Sequence, residues 1–378
     1  MKGAALGITG FSLIAVTYGM ARFAWGLMVP DVMHDIAFSS RVSGVLAACS
    51  FAAYCVAVMF APVLTARAGP RLPATVAALT AALGMLTVAL ASTALMLGLG
   101  LFIAGLSAGL ASPALAAAVS QRINPQQQPQ VNTIINAGTS MGIILSVPIL
   151  FWMPGGWRAA CGLFALLALF CILPIWRLLP AECDAVQRIS WSHCLRQRQL
   201  QKLIVIAVIS GIASAAWWSF GPDLLQHIAV NPSTISALWL IGGAAGIVGA
   251  LTGPMAKWMG IEQVYRLSQC CLAVPLLALA FSHHFSAWLF PAVALGGAAY
   301  VTLSGVLLVW GAAATENAPA VGVGVLFFML AAGQVIGSMV FGQLYASAGA
   351  PTALLLFAIM PVVMMFILPH SKNDYCVD

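Results

Sequence analysis

Apolar runs of about twenty residues recur along this chain from Leu6 almost to its C-terminus. Each is long enough, as helix, to cross a hydrocarbon core about 30 Å thick. The runs do not alternate polar and apolar residues, so outer-membrane strands are excluded and helices remain. Composition agrees: 62% of the 378 residues are hydrophobic and only 6% charged, where a soluble domain keeps its surface wet with roughly 25% charge. The first run, Leu6 to Val29, is too long for a signal-peptide core and lacks a small-residue cleavage site, so it is expected to stay as a membrane span. The formal charge of +6 is spread thinly over many loops; it reads as an orientation signal and not as a nucleic-acid footprint.

Charged and Pro/Gly clusters divide the chain into spans near 6–29, 42–64, 72–92, 95–120, 131–153 and 158–179, then 203–222, 234–256, 263–282, 286–313, 320–345 and 350–368. The spacing predicts a bundle over 1–179, a linker over 180–202 and a second bundle over 203–378. The linker carries Glu182, Asp184, Arg188, Arg196, Arg198 and Lys202 with Trp191 among them, and a short helix lying at the lipid surface suits it. With an even number of spans both termini share a side. Loops on that side hold Lys2, Arg67, Arg71, Arg122, Arg177, Arg188, Arg196, Arg198, Lys202, Lys257, Arg266 and Lys372, leaving only Arg22, Arg41 and Arg158 of the 15 basic residues elsewhere. The positive-inside rule then places both termini in the cytoplasm.

The two halves echo each other at an offset of 192 residues. Trp25 precedes Pro30-Asp31 as Trp217 precedes Pro222-Asp223, and Pro62 before the Arg67 loop maps onto Pro254 before the Lys257 loop. Duplicated halves are a common transporter architecture. Pairs of glycines four apart, Gly105/Gly109, Gly138/Gly142, Gly242/Gly246 and Gly333/Gly337, let helices approach closely in lipid, as fixed packing or as seams that slide.

After the second run the chain reads Pro62, Leu64, Thr65, Ala66, Arg67, Gly69, Arg71, and a degenerate copy, Gly253-Pro254-Met255-Ala256-Lys257 to Gly260, stands at the equivalent place in the second half. This resembles the cytoplasmic motif G-x-L-a-D-R-x-G-x-R of the major facilitator superfamily. The run from Tyr18 through Arg22 to Pro30-Asp31 resembles a bacterial branch of that family. The resemblance implies an all-α integral membrane protein of about twelve helices in two pseudo-symmetric six-helix bundles, in a bacterial inner membrane. It implies a cytoplasmic gate at Arg67, Gly69 and Arg71. The family's Asp is Ala66 here, so the two arginines need another partner, such as backbone carbonyls at a helix C-terminus, or simply obey the positive-inside rule. Ile143 stands where drug exporters of the family carry a proline in the fifth helix.

Arg22 lies eight residues before Pro30 in an otherwise apolar span. A central Arg costs about 2.5–3.5 kcal/mol, so it is expected to face the bundle interior or water and to pair there. Helical spacing sets Tyr18 and Trp25 beside it, and a guanidinium flanked by aromatics suits a carboxylate, sulfonate or phosphate. The alternative is that Arg22 snorkels toward Asp31 or Asp35, or holds a neighbouring helix through its carbonyls. Asn136, Trp217, Trp218, Tyr300 and Gln334 are further candidates for the solute site. Asn136 and Gln334 suit interhelical glue equally, and Trp217 and Trp218 an interfacial belt. None of the nine acids lies at a span centre. Asp31 and Asp223 are the candidate proton carriers, or else interfacial residues after a Pro that ends each helix; Glu316 is a third. His227, His283 and His284 fall at the external surface, and the loop pair His193 and Cys194 is the one conceivable metal site.

The expected function is secondary active transport of a small organic solute, possibly anionic, by alternating access and with proton coupling; the alternative is efflux of a drug or metabolite by proton antiport. The partners are that solute, protons and the lipid bilayer, with the chain acting as a monomer and no cofactor. An enzyme would need clustered His, paired carboxylates or a nucleotide loop, and the sequence carries none of these motifs.

Overall fold

The computed structural model describes residues 2–183, 198–315 and 319–367. Glu316 and the linker residues Trp191, His193 and Cys194 lie outside the described residues. Among the described residues twelve helices follow one another, with no strand. The first, α1, is built of three pieces, Lys2–Ile14, Ala15–Phe23 and Ala24–Asp35. Then come α2 (Ser40–Ala68), α3 (Arg71–Ala89), α4 (Ala94–Arg122), α5 (Gln128–Trp152) and α6 (Gly156–Leu178). The second set is α7 (Arg198–His227), α8 (Pro232–Met259), α9 (Ile261–Ala280), α10 (Leu289–Ala314), α11 (Pro319–Ala348) and α12 (Ala350–Met364). Eleven are long and apolar enough to cross a membrane, and α12 is a shorter apolar helix.

Large apolar side chains stand outward, for example Leu95 at 86% and Phe170 at 74% exposure. Such an exterior is stable against lipid and not against water. Capping follows local chemistry: the Ser39 hydroxyl accepts from Val42 N–H at 3.4 Å to start α2, and Thr93 accepts from Met96 N–H at 3.3 Å to start α4. The α2–α3 and α8–α9 turns each need a positive φ, supplied by Gly69 (69°) and Gly260 (86°).

Pro30 and Pro222 do not end their helices, contrary to the expectation for Asp31 and Asp223: α1 continues to Asp35 and α7 to His227. A proline forfeits one backbone bond, whereas a terminus would leave several groups unpaired; in a membrane helix the smaller loss is absorbed locally.

The chain forms two compact units, Met1–Gln187 with Trp218–Leu240, and Arg188–Trp217 with Ile241–Asp378. Within each, small residues bring helices together, and the contacts recur in register. In the first unit Gly105 of α4 meets the Ser50 backbone of α2, and Gly109 meets Ala57; in the second, Gly297 of α10 meets the Gly242 backbone of α8, and Gly249 meets Val301. Likewise Gly19 of α1 packs on Gly142 of α5, and Gly211 of α7 on Gln334 of α11. Each pair maps onto its counterpart at the offset of 192 read from the sequence, so the repeat is a repeat of backbone packing.

Candidate functional site

Ala15–Phe23 is wound as a π-helix, with Ala24 N–H donating to the Gly19 carbonyl five residues back. Such wide turns are rare and recur at functional sites. Gly19 sits in the middle, with its Cα against Gly142 of α5, so the widened segment meets α5 backbone to backbone there. Arg22 falls within this segment and is 6% exposed. Its guanidinium carbon lies 4.3 Å from the Tyr54 ring centre, 4.9 Å from Phe51, 5.3 Å from Phe23 and 5.7 Å from Tyr18. Ring faces attract a cation at these distances, by about 0.5–1 kcal/mol each when exposed and more when dry. The Tyr18 hydroxyl donates to the Tyr54 hydroxyl at 3.4 Å and shares a 2.8 Å bond with Ser112 of α4. Rings of α1 and α2 thus surround one cation, and Ser112 of α4 bonds the hydroxyl of one of them; guanidinium and hydroxyl are donor types that suit a carboxylate or phosphate. Arg22 turns into α2 aromatics and does not snorkel. Trp25 is 3% exposed, and its indole N–H has no hydrogen-bond partner among the described residues.

The second unit holds a neutral cluster. Gln334 of α11 is fully buried; its Nε2 donates to the Tyr300 hydroxyl of α10 at 3.1 Å and to Ser214 Oγ of α7 at 3.4 Å. Ser214 in turn donates to the Gly211 carbonyl at 2.9 Å. Tyr300 remains half-buried. A separate amide, Gln269 of α9, donates to Ser210 Oγ at 2.8 Å and ties α9 to α7.

Trp217 and Trp218 are buried, unlike Trp258 and Trp288, which stand 83% and 80% exposed as belt residues do. Trp217 lies beside Gly242 in the second unit. In the first, Trp218 stacks with Phe23 (centroids 5.0 Å) and Trp239 (5.5 Å), and its carbonyl rests on Gly26. Asn136 is exposed on α5 and makes no side-chain hydrogen bond among the described residues. Asp31 is exposed near the end of α1, and Asp223 is half-buried on α7.

At the basic end, Arg71 Nε donates to the Leu179 carbonyl at 2.9 Å and its N–H to the Pro180 carbonyl at 3.2 Å. The partner of Arg71 is therefore the carbonyl terminus of α6, where a cation also complements the helix dipole. Gly69 lies so close to Ala181 that a Cβ would strike its backbone. Arg67 is exposed, and its carbonyl accepts from Cys183 Sγ at 3.1 Å. At the opposite end, Trp157 donates its indole N–H to Asp35 at 2.9 Å. Arg158 stacks on Trp157 at 4.1 Å and donates to the Ala91 and Ala89 carbonyls at 2.7 and 3.3 Å, closing the end of α3.

The sequence profile described as Major Facilitator Superfamily matches residues 11–320. The chain belongs to the major facilitator superfamily. It is a multi-pass membrane protein and a transporter of a small solute. Among solved structures, a point variant of nucleoside transporter NupG superposes with a TM-score of 0.79 at 12% identity, covering 97% of this chain and 98% of the other. A second NupG structure gives 0.71 at 15% identity, covering 97% of each. At such identities the likeness shows the shared facilitator fold.

In this member of the superfamily, sequence reasoning missed Phe51, Tyr54 and Ser112, which complete the Arg22 surroundings. Tyr54 carried a usable signal, as one of only six tyrosines and set within an apolar run. Ser214 carried another, standing 192 residues after Arg22.

Proposed function

We propose that this facilitator carries a small organic anion across a bacterial inner membrane by alternating access, coupled to protons. The carrying observation is Arg22: a buried guanidinium in a π-helical segment, faced by four aromatic rings, one of which, Tyr18, bonds Ser112 through its hydroxyl. Retaining a charge inside a span is costly, and binding an anionic solute gives that cost a use. Tyr18 and Trp25 complete the anion-binding surface in the first half; Asn136, Trp217, Trp218, Tyr300 and Gln334 are the other residues proposed for solute binding. Asp31 and Asp223, at repeat-equivalent places, carry the protons. Arg67, Gly69 and Arg71 form the cytoplasmic gate, both termini lie in the cytoplasm, and the bundles are divided by the 180–202 linker. The NupG neighbours support including nucleosides and their monophosphates among trial solutes.

The test is thermal unfolding of the purified protein against anionic, neutral and cationic solutes. A ligand at a hundred times its Kd adds about 2.7 kcal/mol of stability. Anions that stabilise the native protein, and drive proton movement in proteoliposomes that Asp31→Asn or Asp223→Asn abolishes, support the proposal. A response confined to neutral or cationic solutes ends it.

A further inference from the structure

Helices α3 and α6 run antiparallel within the first unit and are clasped at both ends by an arginine beside a tryptophan. At the end of α3, Arg158 donates to the Ala91 and Ala89 carbonyls at 2.7 and 3.3 Å and lies 4.1 Å from the centre of the Trp157 ring. That pair is closed: Trp157 is 4% exposed, and its indole N–H is taken by Asp35 at 2.9 Å. At the basic end the same device is open. Arg71 Nε donates to the Leu179 carbonyl at 2.9 Å and its guanidinium carbon lies 5.8 Å from the centre of the Trp176 ring, but its terminal Nη groups make no hydrogen bond among the described residues. Trp176 is 56% exposed and Arg177 beside it is exposed as well, and neither side chain has a hydrogen-bond or ion-pair partner among the described residues. Glu182 does not offset this charge, because it turns to Arg122 at 3.6 Å.

Exposed apolar side chains continue from this donor set along both helices: Leu72 and Leu79 on α3, Phe170 and Leu173 on α6. In a membrane protein such a face meets acyl chains, and an exposed Trp and Arg at its end stand at headgroup level. We infer that Arg71, Trp176 and Arg177 hold the headgroup phosphate of a phospholipid of net negative charge, whose acyl chain lies on the exposed α3–α6 face. The guanidinium groups offer paired donors that match phosphate oxygens, and the indole N–H adds a third. Basic pockets between spans take anionic headgroups on this principle. A zwitterionic headgroup brings a cation of its own to the arginines and is disfavoured. Fastening α6 to α3 does not account for the group, since the Arg71 Nε bond alone does that and leaves Trp176 and Arg177 without a role. The inference is independent of the reading of Arg22.

The test titrates the full-length protein in neutral detergent with dioleoylphosphatidylglycerol or dioleoylphosphatidylcholine in mixed micelles. Half-saturating concentrations are read from thermal stabilisation, and bound lipid is counted by native mass spectrometry. The native protein is expected to favour phosphatidylglycerol by about tenfold or more, with about fivefold from each arginine. Arg177→Gln and Trp176→Leu, which remove no hydrogen bond within the described protein, are each expected to weaken phosphatidylglycerol binding by about two- to fivefold and to leave phosphatidylcholine unchanged. Arg22→Met is expected to keep the native preference. Equal response of the native protein to the two lipids, or a native preference that survives the Trp176→Leu, Arg177→Gln double variant, overturns the inference. So does the full effect from glycerol 1-phosphate alone, which marks a site for a soluble anion, or loss of the preference in Arg22→Met, which puts the lipid at the solute site.

Discussion

Replacing Arg22 by Met separates a binding role from a folding role, because the two make opposite forecasts for stability. The guanidinium loses four ring contacts between 4.3 and 5.7 Å, about 2–4 kcal/mol in all at about 0.5–1 each. Against this, removing a charge from the interior of a span returns about 2.5–3.5 kcal/mol, and a thioether among aromatics adds about 0.3–1.5 kcal/mol. The balance runs from about −1 to about +3 kcal/mol, so the variant's Tm should lie within about 4 °C of the native value. Solute recognition fares differently, since a charge-assisted hydrogen bond is worth about 1.5–3 kcal/mol and anion affinity should fall by about tenfold or more. Arg22→Lys should land between, keeping the charge but losing the planar fork and its stacking. The assay is a detergent melt by intrinsic fluorescence, with and without a stabilising anion. A variant that fails to fold, or one whose anion response equals the native response, refutes the reasoning.

Gly142→Val should cost more than about 3 kcal/mol, because its Cβ would meet the Ala15 backbone and Gly19 where neither helix has a side chain to yield; loss of the monodisperse species in size exclusion reads it out. Gly162→Ala, where a Cβ meets nothing within 4 Å, should be neutral or raise stability by up to about 1 kcal/mol through helix propensity. Gly69→Ala should destabilise by about 2 kcal/mol or more, from the positive φ of 69° and the Ala181 backbone, whereas Glu182→Ala, losing a 3.6 Å surface pair with Arg122, should cost under about 1 kcal/mol. Trp157→Phe deletes the 2.9 Å bond to Asp35 and should lower stability by about 1–3 kcal/mol in the same melt.

The helices were legible because lipid leaves the chain so few options: any apolar run of spanning length must satisfy its own backbone, and the runs announce themselves. Their ends were less so. Pro30 and Pro222 read as stops, yet both helices run five residues further. The price of an unpaired carbonyl depends on neighbours that a single sequence does not display. Arg22 stood out as a charge in the wrong solvent, while Phe51 and Tyr54, whose rings face it, and Ser112, which bonds Tyr18, come from two other helices and look like ordinary span residues. The π turn that carries Arg22 left no mark in composition either; it depends on Gly19 meeting Gly142, a tertiary contact. At the basic end, with Ala66 where the family has Asp, Arg71 bonds a group of another kind. That partner is the carbonyl of Leu179.

The duplicated scaffold also shows where divergence is physically free. A seam in which one backbone touches another admits no Cβ, so Gly105 and Gly297 must both stay glycine if the α2–α4 and α8–α10 contacts are to exist. Side chains that leave the seam carry no such demand. Tyr18 and Ser210, Arg22 and Ser214, Ala108 and Tyr300 stand at equivalent positions and share almost nothing chemically. Even the seam yields once: the counterpart of Gly142 is Gln334, whose backbone nitrogen still meets Gly211 while its amide turns to Tyr300 and Ser214. Packing thus holds the two halves to one geometry, while the residues that break the repeat give the first half a cationic set around Arg22 and the second a neutral set around Gln334.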